Sequence, residues 1–179
     1  TPTLPPEAYI TEAEDYFKKG KLTSAIASYQ QSILSNPENP AVYVALARVQ
    51  VWAGQYKDAQ NSAENAILLN PDSSMAHAVR AWALDFQGEI LPAEDSIKRA
   101  LELDSNNALA HAYYAEILVD ANDVGDIEKA IEESNIAISL DPNALETHRA
   151  RGYVLENTGN YKEAIPEYEA ALLINNNIA

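Results

Sequence analysis

Three histidines are the residues in this chain most suited to chemistry, and they are regularly placed: His77, His111 and His148 stand 34 and 37 residues apart. Neutral imidazole is a common metal ligand. Residues that fill one slot in successive structural units are separated by a helix-packing distance of roughly 8–10 Å, whereas ligand bonds are ~2 Å long. The three rings therefore cannot converge on one ion, and a packing role is expected. The chain has no cysteine, which removes thiolate nucleophiles, disulfides and Cys-based zinc sites together. It also lacks a Gly-rich phosphate loop, a G-x-S-x-G elbow and an H-E-x-x-H pair, so no residue is nominated as catalytic, as a metal ligand or as a cofactor ligand.

A second chemical candidate is the stretch Asp120-Ala121-Asn122-Asp123-Val124-Gly125-Asp126-Ile127-Glu128, which concentrates side-chain oxygens of the kind a hard cation needs. Asp120, Asn122 and Gly125 fall at the first, third and sixth places of a calcium loop. The fifth place is Val124, and the twelfth is Ile131 where a bidentate Glu belongs. A solvated turn, with Asp126 capping the helix that follows, is the preferred reading.

The elements that would position such residues are set by an internal repeat. Gly20, Gly54, Gly88, Gly125 and Gly159 are spaced by 34, 34, 37 and 34 residues. Ala25, Ala59, Ala93, Ala130 and Ala164 keep the same beat, as do Ser32, Ala66, Ala100, Ala137 and Ala171. A third small slot holds Ala13, Ala47, Ala81, Ala115 and Gly152. Small residues let two helices cross closely, and the glycine ends one helix and turns into the next. Leu22, Tyr56, Ile90, Ile127 and Tyr161 follow two residues after the glycines and fill the flanks. Pro37, Pro71 and Pro142 stop the second helix of their units, with Ser105 and Asn176 in the same place elsewhere. Segments such as AVYVALARVQVWA carry apolar residues at helical spacing, and strand signals are absent. Pro92 falls in a first helical turn, where it is tolerated. Pro166 lies deeper and predicts a mild kink.

This pattern resembles the tetratricopeptide repeat family over residues 6–178, in repeat length, turn glycine, paired small residues and closing proline. The large aromatic expected early in each first helix is Tyr9 and Tyr43, then His77, His111 and His148, a departure that softens packing there. The resemblance implies an all-α solenoid: about ten helices in antiparallel pairs, stacked as a right-handed superhelix with a concave groove. The expected units are 6–39, 40–73, 74–107, 108–144 and 145–178, after a Pro/Thr-rich linker remnant at residues 1–5.

The resemblance also places the ligand surface. A second face of the first helices collects Val44, Val51 and Trp52, then Met75, Val79, Trp82 and Phe86, then Leu109, Tyr113 and Val119, and finally Tyr153. It is expected to line the groove, with Trp, Tyr and Met as binding anchors; the alternative is that single members only pack between neighbouring helices. Glu14, Lys18, Arg48, Asp85, Glu116, Asp120, Glu146, Arg149 and Glu156 are expected to ring it. The expected peptide-binding set is Val44, Arg48, Trp52, Met75, Val79, Trp82, Phe86, Leu109, Tyr113, Glu116, Arg149 and Tyr153. On this reading Trp52→Ala with Trp82→Ala removes partner capture and leaves the helical signal intact. Family members that grip chaperone C-terminal carboxylates use Lys, Asn and Arg here. The corresponding places hold Val44, Ala45, Arg48, Met75 and Val79, and only Arg48 could serve, so that ligand class is set aside.

Twenty-seven acids against twelve bases give a formal charge of −15, which argues against nucleic acid or anionic lipid as partner. The excess serves solubility, the alternative being steering of a basic partner. No window approaches the ~18 apolar residues of a membrane span. The expected function is a non-catalytic scaffold for a protein or peptide segment with apolar anchors and some basic residues. Two alternatives stand beside it: a docking segment of a larger enzyme, and a spacer whose groove is filled by its own side chains. TPTLPP resembles the spacers that follow membrane anchors in bacterial surface proteins, which points outside the cytoplasm. The apolar face around Ile165, Leu172 and Ile174 is expected to be open and to support self-association.

Overall fold

The computed structural model describes residues 5–121 and 126–178. Within them ten helices follow in order: α1 (Pro6–Lys18), α2 (Leu22–Ser35), α3 (Pro40–Trp52), α4 (Tyr56–Leu69), α5 (Ser74–Asp85), α6 (Ile90–Leu103), α7 (Ala108–Ala121), α8 (Asp126–Leu140), α9 (Leu145–Asn157) and α10 (Tyr161–Ile174). Each odd-numbered helix packs on the even-numbered helix after it, forming hairpins. Each even-numbered helix up to α8 then meets the first helix of the next hairpin. The first helices also stack on one another, α3 on α5, α5 on α7 and α7 on α9. No strand occurs among the described residues, and the architecture is an all-α solenoid.

Local chemistry explains the punctuation. Gly20, Gly54, Gly88 and Gly159 have φ of 69, 72, 75 and 78°, the left-handed conformation that ends a helix without a Cβ clash. After each, the next N–H donates five residues back, as in Lys21 to Tyr16 O at 2.9 Å and Gln55 to Gln50 O at 2.8 Å. Gly125 and the core of the suspected cation loop lie outside the described residues, as do residues 1–4 of the expected linker. The small slots are shut: Ala13, Ala47, Ala81 and Ala115 are fully buried. In the fifth hairpin a Cβ on Gly152 would stand 2.7 Å from the Tyr168 ring, so glycine there makes room for an aromatic.

The turns between hairpins revise the role given to proline. Asn36, Asn70, Asp104, Asp141 and Asn175 each accept a hydrogen bond from the backbone N–H two residues on, at 2.9–3.4 Å. This turn forms equally at Ser105 and Asn176, where no proline follows. The short side-chain amide or carboxylate therefore makes the turn, and the proline only fits it. Helix α10 continues through Pro166 to Ile174.

The histidine slot also differs from expectation. The Nε2–H of His77, His111 and His148 donates to the Pro71, Ser105 and Pro142 carbonyls at 2.9–3.0 Å, tying each first helix to the turn before it. In place of soft aromatic packing, the ring supplies a hydrogen bond to a carbonyl that the turn leaves free. His111 also meets Glu133 at 2.5 Å. Burial opposes its protonation, but Glu133 and the Ser105 carbonyl outweigh burial and raise its pKa.

The solenoid returns on itself within its five hairpins. Asn177 donates from its side chain to Lys18 O at 3.1 Å, linking the segment after α10 to the end of α1. A Cβ on Gly20 would meet that of Asn177 at 2.7 Å, so glycine is also required by this approach. Arg48 of α3 pairs with Glu146 of α9, 98 residues away. With the ends this close, the inner face closes around its own side chains: residues 110–119 of α7 are all buried.

Candidate functional site

The inner face is built from the first helices, joined at its edge by Tyr56 at the start of α4. One-repeat steps bring its side chains into register, because positions 34 residues apart lie side by side on stacked helices. Trp82 (α5) stacks on Tyr113 (α7) with centroids 4.4 Å apart, and meets Trp52 (α3) edge-on at 5.5 Å. Phe86 lies 5.8 Å from Trp82 and stacks on Tyr56 at 4.9 Å. The Arg149 guanidinium (α9) covers this group, 5.3, 5.0 and 5.8 Å from the Trp52, Trp82 and Phe86 rings, and pairs with Glu116. Cation–π contact is strong where water is excluded, as it is over Trp82. The Trp82 indole N–H donates to Glu116 Oε2 at 3.2 Å.

The structure thus divides the expected groove residues. Val79, Trp82, Tyr113 and Glu116 are buried at the centre, where they fill the face and present little surface to a ligand. Val44, Arg48, Trp52, Met75, Leu109, Arg149 and Tyr153 are partly buried, and Phe86 is 42% exposed. Met75 and Leu109 line a depression of about 600 Å³ together with Asn107 and Asp141. The expected ring of charges is corrected in the same way. Arg48, Asp85, Glu116 and Glu146 lie inside the face, and two of the acids are paired with arginines from other hairpins. Removing Trp52 and Trp82 together cannot be a neutral probe of binding, since both belong to one packed cluster.

Among the described residues, six buried side-chain atoms have no hydrogen-bond partner: Arg48 Nε, Trp52 Nε1, Asp85 Oδ1, Tyr113 OH, Glu116 Oε1 and Arg149 Nε. All six come from first helices. A buried polar atom without a partner is costly, typically about 1–3 kcal/mol. A concentration of them on one face is therefore informative in a way that scattered ones are not. Asp85, expected on the rim, is 5% exposed; its place one helical turn after Trp82 is the feature of the sequence that puts it on the buried face.

The electrostatics follow from burial. The Asp85 carboxyl is pushed up to about 8, by burial first and then by Asp120 and Glu116. Burial likewise pushes Glu116 up to about 7, against Arg149 and the Trp82 N–H. An acid with a higher pKa folded than unfolded holds its proton more tightly in the fold. Its stabilisation is complete below the unfolded value near ~4 and is lost as pH rises toward 8. The chain should accordingly be less stable at pH 8 than at pH 5, by about 1 kcal/mol or more in urea unfolding. Asp85→Asn should shrink that difference; stability rising across this range would contradict the assignment.

Among the described residues no three His, Asp or Glu side chains are grouped as a metal ion would require, and no helix is long and apolar enough to cross a membrane.

Comparison with known proteins agrees with this architecture. Family models described as tetratricopeptide repeat match residues 16–83 and 145–178, together more than half of the chain. No curated protein matches it in sequence. Among solved structures it resembles TTC0263, a thermophilic TPR protein of Thermus thermophilus, at 19% identity and TM-score 0.78, over 93% of this chain and 90% of that one. It is similar to the MamA protein at 24% identity and TM-score 0.60, over 94% and 91%. It is also similar to the first TPR of Spaghetti (RPAP3), solved bound to the HSP90 peptide SRMEEVD, at 24% identity and TM-score 0.60, over 65% and 93%. At these identities the likeness speaks for the fold.

Proposed function

The chain belongs to the tetratricopeptide repeat family, and from that premise we propose that it is a non-catalytic scaffold that binds a protein or peptide segment on its first-helix face. The observation that carries this reading is the excess of polar capacity there: all six unpartnered buried polar atoms found among the described residues belong to first helices. Because the centre is filled, the contact surface is the rim: Phe86, Tyr153, Val44 and the depression at Met75 and Leu109. Apolar anchors of a partner would enter at these points, while its polar groups meet the accessible ones at the rim, such as the exposed Asp120. The neighbour bound to an HSP90 peptide lends support by fold alone.

The proposal also keeps five repeats, at 6–39, 40–73, 74–107, 108–144 and 145–178. The starts of the first helices at Pro6, Pro40, Ser74, Ala108 and Leu145 support these bounds. Self-association through α10 is retained as well, since Tyr161, Ile165, Leu172 and Leu173 are 64, 57, 45 and 89% exposed.

Photo-crosslinking tests both contacts in one experiment. A benzophenone side chain in place of Phe86 should trap a partner other than the chain itself, and one in place of Leu173 should trap a second copy. Absence of any non-self adduct from position 86, with the protein folded, would sink the scaffold reading. A purely monomeric product at position 173 would sink self-association.

A further inference from the structure

Two acids of the inner face lack a cationic partner among the described residues, and their location defines a ligand chemistry. Arg48 neutralises Glu146, and Arg149 neutralises Glu116. Asp85, at the end of α5, and Asp120, near the end of α7, have no such partner among the described residues, although the two interact electrostatically with each other and with Glu116. Asp85 is 5% exposed and its Oδ1 accepts no hydrogen bond. Asp120 is exposed and accepts from the Tyr153 hydroxyl at 2.5 Å, and the protonated Asp85 carboxyl donates a hydrogen bond to it. The exposed ring of Phe86 follows Asp85 directly in the chain. A carboxylate beside aromatic surface is the environment in which this same face already holds Arg149, between Glu116 and the Trp52, Trp82 and Phe86 rings.

We propose that Asp85 and Asp120, with Phe86 and Tyr153 beside them, form a subsite for one cationic side chain, an arginine or lysine, of a bound partner segment. The inference rests on the scaffold reading above and deepens it by naming the partner's chemistry. Carboxylates pair with guanidinium through charge-assisted hydrogen bonds, and the exposed part of Phe86, 42% of the residue, offers apolar contact to the stem of the incoming side chain. An inorganic cation is disfavoured because no third His, Asp or Glu joins the pair in metal-binding geometry among the described residues. The overall charge of −15 draws basic segments toward the chain. In the free protein the unpaired acids are kept by a proton: Asp85 is mostly protonated at neutral pH, because burial, Asp120 and Glu116 all disfavour its charge while Arg149 opposes them only in part. Arrival of the cation expels that proton, so one positive charge replaces another.

The probes are two labelled hexapeptides of alternating leucine with arginine or with citrulline, the uncharged isostere. At neutral pH and near-physiological salt the arginine peptide should bind at least about tenfold more tightly than the citrulline peptide. Asp85→Asn, and separately the exposed Asp120→Asn, should each remove most of that preference. Glu102→Gln on α6, whose side chain is 67% exposed and remote from the inner face, should leave it within about twofold. Calorimetry in buffers of different ionisation enthalpy should register proton release on binding at pH 7, lost in Asp85→Asn. Equal affinity for the two peptides, no binding of either, or a preference untouched by both aspartate substitutions overturns the subsite. These results are separable from the scaffold reading. A chain that still crosslinks a partner at position 86 while failing here keeps its groove and loses only the cation site.

Discussion

Replacing Trp82 with alanine is expected to cost the fold about 3–5 kcal/mol, a large part of the stability of a small domain. Trp82 is 1% exposed, and it joins three hairpins: stacked on Tyr113, edge-on to Trp52 and Phe86, and hydrogen-bonded to Glu116. Truncation leaves a cavity where α3, α5 and α7 meet, strips Arg149 of one of its three rings, and removes the indole N–H that Glu116 accepts from alongside Arg149. Trp52 is less buried and its indole N–H has no partner, so Trp52→Ala should cost clearly less. Urea unfolding followed by circular dichroism reads both. A Trp82→Ala chain within about 1 kcal/mol of the parent would mean that the inner face is not a packed core.

That result also bears on what the sequence could reveal. The repeat is a one-dimensional signal: Gly20, Gly54, Gly88 and Gly159 occur in phase because each ends a helix in the same left-handed turn. The buried alanines occur in phase because each hairpin crosses at the same point. Such features depend only on neighbours in the chain. The Asx turns at Asn36, Asn70, Asp104, Asp141 and Asn175 were equally visible, yet proline at three of the five drew attention from the side chain that makes the turn. The state of the inner face is different in kind. Whether Trp82 is a free anchor or a core residue depends on how sharply successive hairpins rotate. That curvature brings Arg48 to Glu146 and Asn177 to Lys18 across most of the chain. No local pattern encodes it, so aromatic residues at groove positions were legible while their burial was not.

The closed face and the binding proposal fit together through charge. A groove filled only by apolar groups would have served as a spacer and nothing more. This one holds two arginine–glutamate pairs whose carboxylates are buried and whose guanidiniums are partly buried, and it leaves polar atoms over. Buried pairs contribute less to stability than their geometry suggests, because desolvation offsets attraction. Their presence on the inner face, with apolar surface left on the outside at Leu34, Leu68 and Leu91, keeps the first helices polar while still being packed, as the proposed recognition of a partner requires.

Arg149→Met tests that balance directly and should destabilise the chain by about 3 kcal/mol at pH 8. The loss comes less from the missing pair than from Glu116, which remains 3% exposed with Trp82 as its one donor and Oε1 still unpartnered. Burial already holds Glu116 well above the usual carboxylate range, and Arg149 is what opposes that shift. Without the guanidinium its pKa must climb further, so at pH 5 the group is neutral and the penalty should shrink. Two independent readouts follow. Between pH 5 and pH 8 the variant should lose stability more steeply than the parent, since its folded state holds one more proton than its unfolded state over a wider range. Adding Glu116→Gln should then recover most of the loss, because the amide removes the stranded charge and still accepts from the Trp82 N–H. If Arg149→Met is equally costly at both pH values and Glu116→Gln restores nothing, the guanidinium acts through packing on Trp52, Trp82 and Phe86, and the inner face is held by its rings rather than by charge.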